Sequence, residues 1–161
     1  MKFPPAVITV LLVGLFGCAS QGSGSPTSSG NVQAEVRRAL DQFNELSGRA
    51  DLSAIMAQFD DKADIMIVGS DVGEVFKGRA AMEGWLESLY KSSGFSWQMD
   101  RVEISHNGDT AWAFVEGKMN VNSKATGKLR FSKPYRFSAV LVKQGDRWVW
   151  RLFHGSAPGK E

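Results

Sequence analysis

The chain has 161 residues, of which 43% are hydrophobic and 22% are charged. This is enough for one domain with an apolar core and excludes a chain that is disordered throughout. Its 19 Lys and Arg residues against 17 Asp and Glu give a net charge of +2, without the excess of positive charge typical of nucleic-acid binding. Cys18, His106 and His154 are its full complement of cysteine and histidine, too few for a disulfide or a cysteine-rich or multi-histidine metal site. We therefore expect no metal, no cofactor and no nucleic-acid partner.

The N-terminal segment predicts export. Lys2 precedes an apolar run over residues 6–17, which is shorter than the about 20 residues that a membrane-spanning helix needs. A basic start followed by a short apolar run is typical of a secretory signal peptide, which we place at residues 1–17. Residues 18–31 lack large apolar side chains and are rich in Ser and Gly, which predicts a flexible linker.

The end of that leader, Leu15-Phe16-Gly17-Cys18, resembles the lipobox of bacterial lipoprotein precursors, with Phe16 where a small residue is usual. The resemblance implies that Cys18 becomes a lipidated N-terminus carrying diacylglycerol and commonly an N-linked acyl chain such as palmitate. Ala19 after it implies an outer-membrane anchor facing the periplasm. Two or three acyl chains hold a protein at a membrane stably, because each buried methylene contributes about 0.8 kcal/mol. The alternative is a plain leader with an incidental cysteine.

Three helices are predicted at the start of a single domain over residues 32–158, which is followed by a short tail at 159–161. Apolar residues at helical spacing predict a first helix that ends at Gly48. Asp51 can cap a second, shorter helix, and a third follows Gly78.

Alternation with a period of two predicts strands in the rest of the domain. A short hairpin over residues 63–68 and 74–76 separates the second and third helices, and longer strands run from residue 95 to residue 156. The apolar parity changes between Met99 and Val102, which predicts a β-bulge near residues 100–101. A hairpin turn is predicted at Asn107-Gly108, where glycine supplies a positive φ.

Helices followed by hairpin-connected strands predict an α+β fold, with three helices packed on a curved, mostly antiparallel sheet. On the last strand, the parity of Trp148, Trp150 and His154 predicts an inward face. Val149 and Phe153 then fall on the other face. Because that face is also partly apolar, we predict that a second copy of the chain covers it in a homodimer.

The element order and several landmarks resemble the nuclear transport factor 2-like superfamily, and more narrowly its SnoaL-like branch. The landmarks include Phe59-Asp60-Asp61-Lys62-Ala63, Gly78-Arg79, Gly108-Asp109-Thr110-Ala111-Trp112 and Gly145-Asp146-Arg147-Trp148. The resemblance implies a cone-shaped fold that encloses a pocket. Members include isomerases, dehydratases, hydrolases, cyclases and non-catalytic binding modules, so the fold alone does not decide the function.

The resemblance also allows a test for the ketosteroid-isomerase mechanism, which needs an oxyanion-binding tyrosine, a carboxylate base and a second acid. These positions fall on Phe43, Met66 and Ala139. None of the three side chains has the required chemistry, so we do not expect that mechanism.

Three polar residues remain as catalytic candidates. His154, beside Trp150 and Leu152, is either a general acid or base near neutral pH or a buried histidine that is satisfied by a carbonyl or by Tyr135. Tyr135 offers a hydroxyl to the pocket or lies in the core with its hydroxyl at the rim. Asp64 is either a base on the inner side of the first strand or a solvated acid.

The leading hypothesis is an envelope lipoprotein whose pocket binds a small apolar or aromatic molecule, or another protein, without catalysis. The expected ligand-binding side chains are Trp150, Met66, Phe43, Tyr135 and His154. One alternative is a pocket enzyme of the isomerase, hydratase or cyclase type that uses His154 with Asp64 or Tyr135. Another is a dimeric scaffold whose pocket is filled by its own side chains.

Overall fold

A computed structural model describes residues 29–159. Its elements, in chain order, are α1 Ser29–Gly48, α2 Leu52–Met56, β1 Met66–Val68, β2 Val75–Lys77, α3 Arg79–Leu89, β3 Ser93–Asn107, β4 Thr110–Ser123, β5 Leu129–Gln144 and β6 Arg147–Ser156. The signal peptide and lipidated Cys18 predicted from the sequence lie outside the described residues. Within residues 29–159, no helix is both long enough and apolar enough to cross a membrane.

One six-stranded sheet has the order β2-β1-β6-β5-β4-β3. All neighbouring strands are antiparallel except β1 and β6, which are parallel. The three helices pack against one face of this sheet and close over an apolar core. The predicted α+β architecture is confirmed.

Local signals in the sequence set the helix boundaries. The Asp51 carboxylate accepts a hydrogen bond from the backbone N–H of Ala54 at 3.1 Å, which caps α2 as predicted. Gly78, with φ of 81°, directly precedes α3. Asn44 ties α1 to the sheet, because its side-chain amide donates to the carbonyl of Trp97 at 2.9 Å and accepts from the Trp97 N–H at 2.7 Å.

The strand irregularities decide which side chains reach the core. The predicted bulge in β3 is confirmed, since the register with β4 shifts between Met99 and Arg101. A second shift, which the sequence did not predict, lies in β6. Val140 of β5 pairs with Leu152, whereas Leu141 pairs with Trp150, so Arg151 is an extra residue.

The bulge at Arg151 reverses the inward parity of β6. Trp150 is fully buried and Phe153 is 6% exposed, so both face the core, whereas His154 is exposed on the outer face. The predictions that His154 points inward with Trp150 and that Phe153 lies on the outer face are therefore wrong. An extra residue in one strand shifts every following side chain to the opposite face.

A buried carboxylate holds this bulge. Asp60 has no exposed surface and accepts hydrogen bonds from the Arg151 guanidinium, with Nε at 2.8 Å, and from Gln144 Nε2 at 2.6 Å. Arg151 also pairs with Asp64 at 3.2 Å. Burial acts to raise the pKa of Asp60, but the hydrogen bonds, led by those from Arg151, outweigh it and leave that pKa lowered.

Candidate functional site

A cavity of about 200 Å³ lies between α3, the turn that joins β1 to β2, and the inner face of β3, β4 and β5. A cavity of about 150 Å³ lined by apolar side chains is enough to bind benzene. The space here therefore suits a molecule built on one or two rings.

The cavity wall is mostly apolar and rich in aromatic residues. β5 contributes Phe131 and Tyr135 from its inward parity, and α1 contributes Phe43. The aromatic residues of the lining are Phe43, Trp85, Tyr90, Phe95, Trp97, Phe131, Tyr135 and Phe153. Their rings also pack on one another, for example Tyr90 edge-on to Phe95 at 5.5 Å between centroids. The wall thus offers several flat apolar surfaces.

Polar groups come together at one end of the cavity. The turn between β1 and β2 contributes Ser70, Asp71 and Glu74, and β5 contributes Lys133. The turn is closed by a hydrogen bond from the Gly69 N–H to the Glu74 carbonyl at 2.8 Å, and the Glu74 carboxylate accepts from the Asp71 N–H at 3.0 Å. Glu74 is half-buried, so its charge lies at the edge of the apolar space.

Two glycines make room for the polar side chains at this end. A Cβ at Gly155 would lie 1.9 Å from the hydroxyl oxygen of Tyr135, and a Cβ at Gly69 would lie 2.0 Å from a carboxylate oxygen of Glu74. The preceding residues, Val68 of β1 and His154 of β6, are paired in register. Gly155 of β6 and Gly69, directly after β1, therefore lie side by side. A side chain at Gly155 would displace the Tyr135 hydroxyl, and one at Gly69 would displace the Glu74 carboxylate.

Tyr135 is a buried polar side chain at this end of the cavity, at 6% exposed. Burial raises its pKa to about 12, and the negative charges of Glu74 and Asp71 act in the same direction, whereas a hydrogen bond with Ser70 acts against them. The phenol is therefore neutral at physiological pH and retains a proton to donate.

Some of the residues that were predicted to form the site line the cavity, and others lie away from it. Phe43 and Tyr135 line the cavity. Trp150 lies behind the wall with its ring 4.4 Å from that of Phe43, and it is absent from the lining. It acts as support for the cavity wall.

Met66, Asp64 and His154 lie away from the cavity. In the first strand Ile65 and Ile67 take the inward positions, at 0% and 2% exposed, so the prediction that the parity of Asp64 and Met66 faces inward is wrong. Both parities of this segment carry apolar residues, and the alternation alone did not distinguish them. Asp64 is exposed and pairs with Arg151, while His154 faces outward beyond the bulge.

Alternation could not assign the turn residues Glu74, Asp71 and Ser70 to the cavity, because in a turn it does not indicate which way a side chain points. Lys133 could have been found, since it shares the inward parity of Phe131 and Tyr135. Of the positions compared with the ketosteroid isomerases, Phe43 lines the cavity and Ala139 is buried in the core. Among residues 29–159, no three His, Cys, Asp or Glu side chains are grouped closely enough to hold a metal ion.

Residues 36–160 match the family model described as the SnoaL-like domain. The chain belongs to the SnoaL-like domain family. This match covers the domain predicted from the sequence except for the first turns of α1. A comparison with the curated proteins found no match.

Solved structures share the fold of this SnoaL-like domain. A candidate dehydratase of the nuclear transport factor 2-like family from Streptomyces avermitilis superposes with a TM-score of 0.71 at 17% identity, over 83% of this chain and 100% of that one. A nuclear transport factor 2-like protein of unknown function from Pseudomonas putida KT2440 gives 0.68 at 19% identity, over 82% and 90%. A ketosteroid isomerase-like protein from Erwinia carotovora atroseptica gives 0.60 at 21% identity, over 79% and 96%. At these identities the likeness shows the fold alone, which is the nuclear transport factor 2-like fold.

Proposed function

We propose that this protein is an envelope lipoprotein whose SnoaL-like domain binds a small aromatic or apolar molecule without transforming it. The observation that carries this proposal is the cavity of about 200 Å³, whose wall is mostly apolar with many aromatic rings and whose polar groups lie at one end. Apolar walls with a few converging polar groups are typical of small-molecule sites. His154, the histidine predicted as a general acid or base, faces outward and does not line the cavity.

An acid–base enzyme is the second candidate. Tyr135 and Glu74 belong to the same end of the cavity, so a phenol donor and a carboxylate could act on one ligand. Against it, the raised pKa of Tyr135 makes proton release at neutral pH unfavourable. Binding without catalysis fits this observation.

The position of α1 fits an anchor that is attached away from the cavity. Near its start, the Gln33 side chain donates to the Ile104 carbonyl at 3.3 Å, at the end of β3 far from the cavity. Its last residue, Gly48, packs against Gly94 next to the cavity-lining Phe95. The 20 residues of α1 span about 30 Å. A lipid anchor at Cys18 would thus join the domain at the end of α1 that lies away from the cavity.

We also propose that a second copy covers the outer face of the sheet. Trp112 is 48% exposed there, and Phe114, Val140 and Leu152 on the same face are half-buried. Glu116 and Arg136 are paired in register, so a negative and a positive charge lie beside this apolar patch. A patch with both signs can complement itself across a two-fold axis.

Native mass spectrometry of the purified full-length protein tests ligand binding and oligomeric state together. We expect a retained molecule on the wild-type chain and its loss in Val121→Phe, because Val121 lines the cavity and a phenyl ring there would fill it. Val75→Phe is the matched control, since Val75 is 59% exposed on β2. If no added mass is retained and aromatic probes do not bind, or if Val121→Phe binds as the wild type does, the cavity is not the site.

A further inference from the structure

We infer that the cavity selects an amine, a ligand whose aromatic or apolar body fills the wall while its ammonium group lies between Glu74 and Asp71 at the rim. This inference rests on the proposed binding function and names the chemical class of the ligand. It is carried by three independent features of the described cavity: the charge of the rim, the aromatic surfaces, and the space that Gly69 and Gly155 provide.

The first feature is an uncompensated negative charge. The charged residues of the lining are Asp71, Glu74 and Lys133, which leaves one negative charge in excess. Among the described residues, neither carboxylate has a cationic group within 4 Å; Glu74 accepts only a backbone N–H, from Asp71. Since a half-buried carboxylate gains most from a charged donor, an ammonium group is the partner that this rim lacks.

The second feature is the aromatic wall, which also attracts cations. The ammonium of Lys133 lies over the ring of Tyr135, with Nζ 5.9 Å from the centroid. An aromatic face at the rim is therefore accessible to a primary amine of the chain itself. Ring faces attract ammonium groups through their quadrupole. Because the Lys133 ammonium already lies over Tyr135, the exposed ring of Phe131 is the face that favours a cationic ligand over a neutral one of the same shape.

The third feature is the space made for the recognising groups. The hydroxyl of Tyr135 and the carboxylate of Glu74 occupy positions that a side chain at Gly155 or Gly69 would take. Because the Tyr135 hydroxyl is neutral and buried, it adds a hydrogen-bonding group without a charge beside the carboxylates. The polar end can thus hold an ammonium by charge and hydrogen bonding while the ring of the ligand stays in the apolar space.

Three probes that share a phenylethyl body test the selection: phenylethylamine, phenylethanol and phenylpropanoate, which are cationic, neutral and anionic at neutral pH. Their dissociation constants for the full-length protein are measured by NMR titration. We expect the amine to bind about tenfold tighter than the alcohol, as a hydrogen bond to a charged group implies, and the carboxylate to bind most weakly. The preference for the amine should decrease as ionic strength rises.

Glu74→Gln should bring the amine close to the affinity of the alcohol, because it removes the negative charge while glutamine can still accept from the Asp71 N–H. Lys133→Gln should tighten the amine further. Glu87→Gln, on the exposed side of α3, is the matched control and should change nothing. Equal binding of all three probes, tightest binding of the carboxylate, or an unaffected amine in Glu74→Gln overturns the inference and leaves the binding function standing. Failure of all three probes to bind overturns both.

Discussion

Arg151 and Asp60 form an ion pair that joins two segments 91 positions apart in the chain. Asp60 is fully buried, and Arg151 is the extra residue of the β6 bulge. The pair therefore does more than neutralise a buried carboxylate: it keeps the guanidinium on the outer side, Phe153 in the cavity wall and His154 away from the cavity.

Asp60→Asn should lower the free energy of unfolding at neutral pH by about 3 kcal/mol, because it removes the charge that compensates Arg151 and weakens a buried network. The measurement is denaturant unfolding followed by tryptophan fluorescence. Asp146→Asn, at an exposed side chain in the turn between β5 and β6, should change the stability by less than about 0.5 kcal/mol. Equal stability of the two variants would show that the pair does not hold the bulge.

The same pair predicts a pH dependence. The pKa of Asp60 is lowered in the folded state from an ordinary value of 3.8. The stability that it contributes is therefore present above about pH 4 and lost as pH falls through the folded-state pKa. The difference in unfolding free energy between the wild type and Asp60→Asn should thus shrink in titrations carried below pH 4. A difference that is constant or grows there would contradict the lowered pKa.

Gly155→Ala should disturb the cavity because its Cβ would collide with the Tyr135 hydroxyl. We expect a loss of about 1–3 kcal/mol in stability, typical of overpacking, and weaker binding of every aromatic probe as the ring shifts. Gly84→Ala on α3 is the control, since nothing lies within 4 Å of its Cβ; it should raise the stability by up to about 1 kcal/mol. Probe binding and thermal unfolding measure the two effects, and unchanged binding in Gly155→Ala would remove Tyr135 from the site.

Trp112→Arg should convert the proposed dimer into monomers, because it places a charge in the centre of the apolar patch on the outer face. Light scattering coupled to gel filtration reports the mass in solution. Leu129→Arg introduces the same charge at another exposed apolar residue, 59% exposed, and should leave the dimer intact. A monomeric wild type, or a Trp112→Arg variant that stays dimeric, would exclude this interface.

Some of the features on which these predictions depend could be predicted from the sequence, and others could not. The bulge near residues 100–101, the cap at Asp51 and the inward parity of Phe131 and Tyr135 were predictable because each has a local signal. The bulge at Arg151 was not, since it depends on Asp60, far away in the chain. Because Arg151 is an extra residue in β6, His154 faces away from the cavity.

The polar end of the cavity shows the same limit. A turn has no periodicity that gives the direction of its side chains, so Glu74 could not be assigned to the cavity from its neighbours. Its carboxylate fits there because Gly69 has no side chain, since a Cβ at Gly69 would lie 2.0 Å from a Glu74 carboxylate oxygen. Sequence alternation could thus predict the aromatic wall but not the charged rim.

Cys18→Ala should abolish the incorporation of labelled fatty acid when the full-length precursor is expressed in a bacterium that processes lipoproteins. The reason is chemical: the thiol of Cys18 is the only one in the chain, so a thioether to diacylglycerol has no other site. The variant protein should leave the membrane fraction, because single weak contacts cannot replace two or three buried acyl chains. Ser20→Ala is the matched control and should be labelled as the wild type is. Unchanged labelling of Cys18→Ala would refute the lipid anchor while leaving the cavity and its binding function intact, since α1 and everything that lines the cavity begin eleven or more residues later in the chain.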